Sequence, residues 1–146
     1  MTLHKALTAN AALAALPRDD FEALVGAMIE GAHGEGHTYF REGQRGDAVY
    51  LVLEGEVRLH RHGGEQEVTR VGPGAWFGIL AMVDGTTRSN TAEGVGRTRV
   101  AEIPVSAFAL LYASYEHLSL AMQDTLAAQL AHDLRAATAR LAAALG

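Results

Sequence analysis

The residues best placed to do chemistry lie between Phe77 and Thr91. Gly78 follows Phe77, Arg88 stands ten positions after that glycine, and Ser89, Asn90 and Thr91 follow directly. Bare backbone N–H groups at a glycine turn, a guanidinium and a small hydroxyl together make a receptor for a phosphate. A helix starting at Gly78 would add its N-terminal amides, an anion site by geometry alone. Arg88 is the first candidate. Turned inward, it would need an anion, since an uncompensated buried charge costs roughly 3–5 kcal/mol. Turned outward, it would be an ordinary loop arginine paired with Asp84.

These residues must be held by a scaffold whose elements show in the patterning. Leu3, Leu7, Ala11 and Leu13 precede Leu16-Pro17-Arg18-Asp19-Asp20. Proline in a first helical turn, followed by acidic residues, suits a helix start. Phe21, Leu24, Val25, Met28 and Ile29 repeat at helical spacing, so helices are expected over about 3–36, ended by Gly31, Gly34 and Gly36. Short apolar or alternating segments punctuated by glycine then run over about 37–104. Val49 to Leu53, Glu56 to His62 and Gln66 to Val71 read as strands, with Gly63-Gly64 as a hairpin turn. Val95 to Ile103 reads as the last strand. Strands this closely spaced predict a small antiparallel barrel or jelly roll.

Pro104 marks the return to helix, over about 105–145. Val105 to Leu111 reads as a short helix and His117 to Leu145 as a long one. Leu118, Met122, Leu126, Leu130, Leu134, Ala137, Leu141 and Leu145 form its apolar stripe, with Gln123, Gln129, Asp133 and Arg140 on the far face. The first half of the stripe should pack on the barrel. A small domain has little left for the last three turns to cover, so they are expected to pair with a second chain. The fold class is therefore α+β, one domain over 1–146: N-terminal helices, an antiparallel β jelly-roll barrel and a long C-terminal helix.

Composition removes several function classes. There is no cysteine, which excludes disulfides, thiolate metal sites and cysteine nucleophiles. A net charge of −5 argues against gripping DNA by its phosphates. No apolar run reaches membrane-spanning length and no signal pattern opens the chain, so a cytoplasmic protein is expected. No metal site is expected: His60 and His62 share a strand face but lack a third ligand, and read as an exposed hairpin pair. Gly31 to Gly36 is glycine-rich but follows no strand, so it fails as a dinucleotide loop. Nothing assembles a nucleophile, base and oxyanion hole, and no enzyme is read here.

The whole layout resembles the cyclic-nucleotide-binding domains of catabolite-activator-type regulators, kinase regulatory subunits and gated channels. The resemblance rests on Leu16-Pro17, Phe40-Arg41-Glu42-Gly43, Gly46-Asp47, Tyr50 to Val57, Val71-Gly72-Pro73-Gly74, Phe77-Gly78 and Arg88, in that order. It implies that Arg88 and Ser89 meet the cyclic phosphate with the Gly78 and Leu80 amides. It also implies that Val68, with Val52 and Leu80, lines the base end, and that the region of Asp133, Leu134 and Thr138 contacts the purine. Two positions depart from the family. Ile79 stands where a glutamate usually reads the ribose hydroxyl, and losing that bond costs roughly 1.5–3 kcal/mol. Asn90 stands in place of the usual alanine.

The ligand set expected is Gly78, Ile79, Leu80, Arg88, Ser89 and Val68. The ligand is cAMP or cGMP, with no other cofactor. The function expected is that of a stand-alone regulatory domain sensing an anionic small molecule, a cyclic nucleotide first, and dimerising or meeting a partner protein through its last helix. The chain ends after that helix, where catabolite-activator-type proteins carry a helix-turn-helix, so no direct DNA binding is expected. The alternative is a degenerate, non-binding domain that serves as a protein–protein interaction or dimerisation module.

Overall fold

The structure, a computed structural model, describes residues 1–80 and 87–146. Three short helices open it: α1 (Leu3–Thr8), α2 (Ala11–Ala14) and α3 (Arg18–Ala27). Asn10 caps α2 by accepting from the Ala12 and Leu13 amides, and Asp19 and Asp20 occupy the first turn of α3. The helical segment ends earlier than its periodicity predicts. Met28 is already extended, and Ile29–His33 form strand β1, paired antiparallel with the last strand from Ile29↔Glu102 to His33↔Thr98. Available ladder partners outweigh a helical pattern weakened by Gly26 and Gly31.

The sheet continues with β2 (Thr38–Phe40), β3 (Ala48–Arg61), β4 (Gln66–Val71), β5 (Trp76–Phe77) and β6 (Thr91–Pro104), all pairings antiparallel. Its path is β1-β6-β3-β4, with β2 on β6 and β5 on β3. The jelly-roll layout expected is present, built as a sheet wrapped around two long strands, and no ladder closes it into a barrel among the described residues. The two segments expected on either side of Gly55 are one strand. Gly55, at φ +84°, sits in a bulge where the register against β6 shifts, not in a hairpin turn. A Cβ there would lie 2.4 Å from the Arg97 carbonyl oxygen, so only glycine fits. The bulge also moves the inward face from Tyr50 and Val52 to Val57.

Two cores result. Tyr50, Val52, Val57, Val71, Phe77 and Val100 fill the inside of the curved sheet. Val49, Leu51, Leu53 and Ile103 face the other way, onto Leu7, Leu13, Leu24 and the final helix. That helix, α5 (Glu116–Leu145), follows α4 (Val105–Ser114). Asp20 Oδ2 accepts from the Leu118 amide at 3.2 Å, so an acidic residue of α3 satisfies a donor at the start of α5. Leu118, Met122 and Leu126 are buried, whereas Leu134, Leu141 and Leu145 are 68%, 60% and 80% exposed. The stripe divides as expected, its first half packed and its last turns bare. His60, expected on an exposed hairpin, is instead buried behind Arg58 and Glu93, and His62 lies beyond the strand in a short 3₁₀ turn.

Candidate functional site

The chain leaves β5 at Phe77 and turns at Gly78, whose φ is +73°. Arg88 lies across from this turn with only 6% of its surface exposed. Its guanidinium donates from Nη1 to the Gly78 carbonyl at 2.9 Å and from Nη2 to the Ala48 carbonyl at 2.7 Å. It stacks over the Phe40 ring, 4.0 Å from the centroid. The Phe40-Arg41-Glu42-Gly43 motif thereby gains a physical purpose. Phe40 supplies the ring, the Gly43 amide donates to the Arg88 carbonyl at 2.8 Å, and the Arg88 amide donates to the Gln44 carbonyl. Gly43, at φ +87°, allows the turn that brings these groups together.

The pairing of this arginine is incomplete. Its Nε is buried with no hydrogen-bond partner among the described residues. The nearest carboxylate among them is Asp47, 3.9 Å away and itself 88% exposed. Burial holds the guanidinium below its ordinary pKa, against the opposing attraction of Tyr50 and Asp47. Asp84, the partner considered for an outward arginine, lies outside the described residues. Tyr50 stacks on Phe77 at 5.0 Å, and burial, followed by Glu102, pushes its phenol up to about 12.

A cavity of about 210 Å³ opens beside Arg88. Of the expected set, Gly78, Ile79, Leu80, Arg88 and Ser89 all line it. Val68 does not: it is half-buried in β4, at a register shift opposite the Leu59–His60 step. Val52 is fully buried in the inner core. Ile79 is 4% exposed and packs into the helix-side core while forming part of the cavity wall, so the position is an apolar seal.

Several site residues were not identified from sequence. Phe40 and Leu59 form walls, and Leu130 joins Asp133 in bringing α5 to the mouth. Leu134, considered for purine contact, points to solvent. Gln129, assigned to the far face of the helix, accepts from the Trp76 amide at 3.0 Å and donates to Asp133 Oδ1 at 3.0 Å. This side chain fastens α5 to β5 and orients Asp133, the one acid in the lining among the described residues. A polar residue one turn before Asp133 was the available signal, but helix periodicity alone does not say that a strand end waits there.

Comparison with known proteins agrees with the fold. The family model described as "Cyclic nucleotide-binding domain" matches residues 33–115. A CRP-like cAMP-activated global transcriptional regulator of Mycobacterium tuberculosis is 36% identical over 67 residues, 44% of this chain and 30% of that protein. A cAMP-dependent protein kinase regulatory subunit of Mycosarcoma maydis is 32% identical over 75 residues, 50% of this chain and 14% of that protein. The chain thus spans less than a third of the length of these curated relatives. Among solved structures, the N-terminal domain of a transcriptional regulator from Streptomyces coelicolor superposes with a TM-score of 0.73 at 27% identity, covering 90% of this chain and 94% of that one. The regulatory domain of Toxoplasma gondii PKA, crystallised with cAMP, gives 0.67 at 28% identity over 75% of this chain and 42% of that one.

Proposed function

This chain belongs to the cyclic nucleotide-binding domain family, and from that premise we propose that it is a regulatory, non-catalytic domain that binds an anionic small molecule, a cyclic nucleotide first, in the cavity beside Arg88. One observation carries the reading. Arg88 is buried at the cavity with an unpartnered Nε and, among the described residues, no carboxylate nearer than the exposed Asp47 at 3.9 Å, an arrangement that an anion completes. Arg88 would take the phosphate, helped by the Ser89 hydroxyl and the Gly78 and Leu80 amides. Val68 would be met only by a base extending past Leu59. Leu130 and Asp133 put the ligand against α5, and binding would shift the population between two positions of that helix. We place such a sensor in the cytoplasm; among the described residues no helix is long and apolar enough to cross a membrane.

Titration calorimetry with cAMP and cGMP, with Arg88→Ala as control, tests the reading. The expected result is saturable heat from at least one nucleotide, lost in the variant. Absence of heat from both would sink it.

A second reading draws on the exposure of Leu134, Leu141 and Leu145. On it, the last turns of α5 are the working surface, pairing with a second copy or a partner, and the cavity is vestigial. Sedimentation of the chain beside a Leu134→Glu/Leu141→Glu variant distinguishes the two. Loss of a dimer without loss of nucleotide heat would assign separate tasks to helix and cavity.

A further inference from the structure

We propose that Arg61 forms a second anion-binding position at the rim of the Arg88 cavity, and that the domain prefers a nucleotide carrying two phosphate groups over one carrying a single cyclic phosphate. The proposal rests on the assignment of Arg88 as the first phosphate position.

Arg61 ends β3, two residues beyond the cavity-lining Leu59 and so on the same face of the strand. Its Nε donates to the Ser89 carbonyl at 3.0 Å and to Asn90 Oδ1 at 2.9 Å. Ser89 and Asn90 line the cavity immediately after Arg88, so Asn90 sits at most about 7 Å from Arg88, Cα to Cα. Asn90 also turns its Nδ2 toward Ser89 Oγ at 3.4 Å. The asparagine that departs from the family pattern thus clamps a second guanidinium beside the first.

The clamp uses only Nε, leaving the fork of Nη1 and Nη2 as the natural contact for a phosphate. No carboxylate among the described residues lies within 4 Å of the Arg61 guanidinium. Glu42 accepts from the amide of His62, the residue after Arg61, at 3.1 Å and makes no ion pair with Arg61. Within the lining, Asp133 is the only acid described, and its Oδ1 already accepts from Gln129. Ile79 adds no charge. Arg88 and Arg61 therefore offer two separate guanidinium positions, and a single phosphodiester held at Arg88 leaves the Arg61 fork unfilled.

The test compares cAMP, ADP and cyclic di-AMP by calorimetry on the full chain, using the native protein, Arg61→Ala, Arg61→Lys and Arg88→Ala. At least one two-phosphate nucleotide should bind the native protein about tenfold or more tighter than cAMP, the gain from one charge-assisted contact. Arg61→Ala should cost the two-phosphate nucleotide about tenfold more affinity than it costs cAMP, and Arg61→Lys should retain part of that advantage. The ADP and cyclic di-AMP arms tell a linear diphosphate from two separated phosphodiesters. Equal affinity of the native protein for all three ligands would overturn the proposal while leaving the Arg88 site standing. So would a loss in Arg61→Ala that is the same for cAMP and the two-phosphate ligands, since that marks a residue that only shapes the Ser89–Asn90 loop. No binding by any ligand, cAMP included, would remove both readings together. Thermal unfolding of each variant confirms that the compared proteins are folded.

Discussion

Replacing Gly78 with alanine tests the site geometry without any ligand. A Cβ at this position would stand 2.8 Å from Arg88 Nη1, 3.1 Å from Phe40 and 3.4 Å from Tyr50. The guanidinium has little room to retreat, held as it is by two backbone carbonyls and the Phe40 ring. Two penalties follow. A side chain at φ +73° costs about 1–2 kcal/mol in backbone strain, and crowding a packed site adds about 1–3 kcal/mol. The first can be measured alone. Gly96 has φ +69°, but a Cβ there meets nothing within 4 Å, so Gly96→Ala should show the strain without the crowding. Urea unfolding of the two variants should differ by the crowding contribution, about 1–3 kcal/mol, or roughly 2–12 °C in midpoint for a chain of this size. Adding Arg88→Ala to Gly78→Ala should recover most of that difference, because the clashing atom is gone. If Gly78→Ala and Gly96→Ala destabilise equally and the double mutant is additive, Arg88 does not pack against the Gly78 turn. The cavity as described would then be wrong.

Removing the amide of Gln129 by substitution with alanine should destabilise the protein by about 1–3 kcal/mol, since it leaves the buried Trp76 N–H without an acceptor. Gln129→Glu keeps an acceptor and should lose less in the same unfolding experiment. Tyr50 gives a prediction at high pH. Its folded-state pKa of about 12 exceeds the usual 10.0, so its stabilisation is complete below pH 10 and is lost as pH rises through 12. Thermal midpoints should fall over that window, and less steeply in Tyr50→Phe; equal slopes would show that the phenol is not the titrating group.

Particular residues show how far sequence reading reached. The glycines and Arg88 could be aligned because each answers a local demand: a turn, a close approach, a charge. Phe40 was placed in a motif, yet its purpose as the surface under Arg88 emerged only when β2 was laid against β6. Ile79 was recognised as unable to read a sugar, but its packing among helix-side residues was not legible. The bulge at Gly55 erased an expected turn, because the pairing of β3 with β6 is long-range and local spacing does not encode it. β1 was hidden for the same reason.

By itself, the sequence determined the class of fold and the split of the long helix into packed and bare halves, and it singled out Gly78 and Arg88 as partners. These follow from periodicity, glycine placement and charge, which act over a few residues. Tertiary structure decided that Arg88 faces inward with its Nε unpartnered among the described residues, that Gln129 fastens the helix to β5, that Val68 lies outside the cavity and that Arg61 reaches Asn90. Each depends on contacts between residues 29 to 53 positions apart, or on two strands meeting at one register. Burial of a charge is a property of everything packed around it, and no local pattern carries that information.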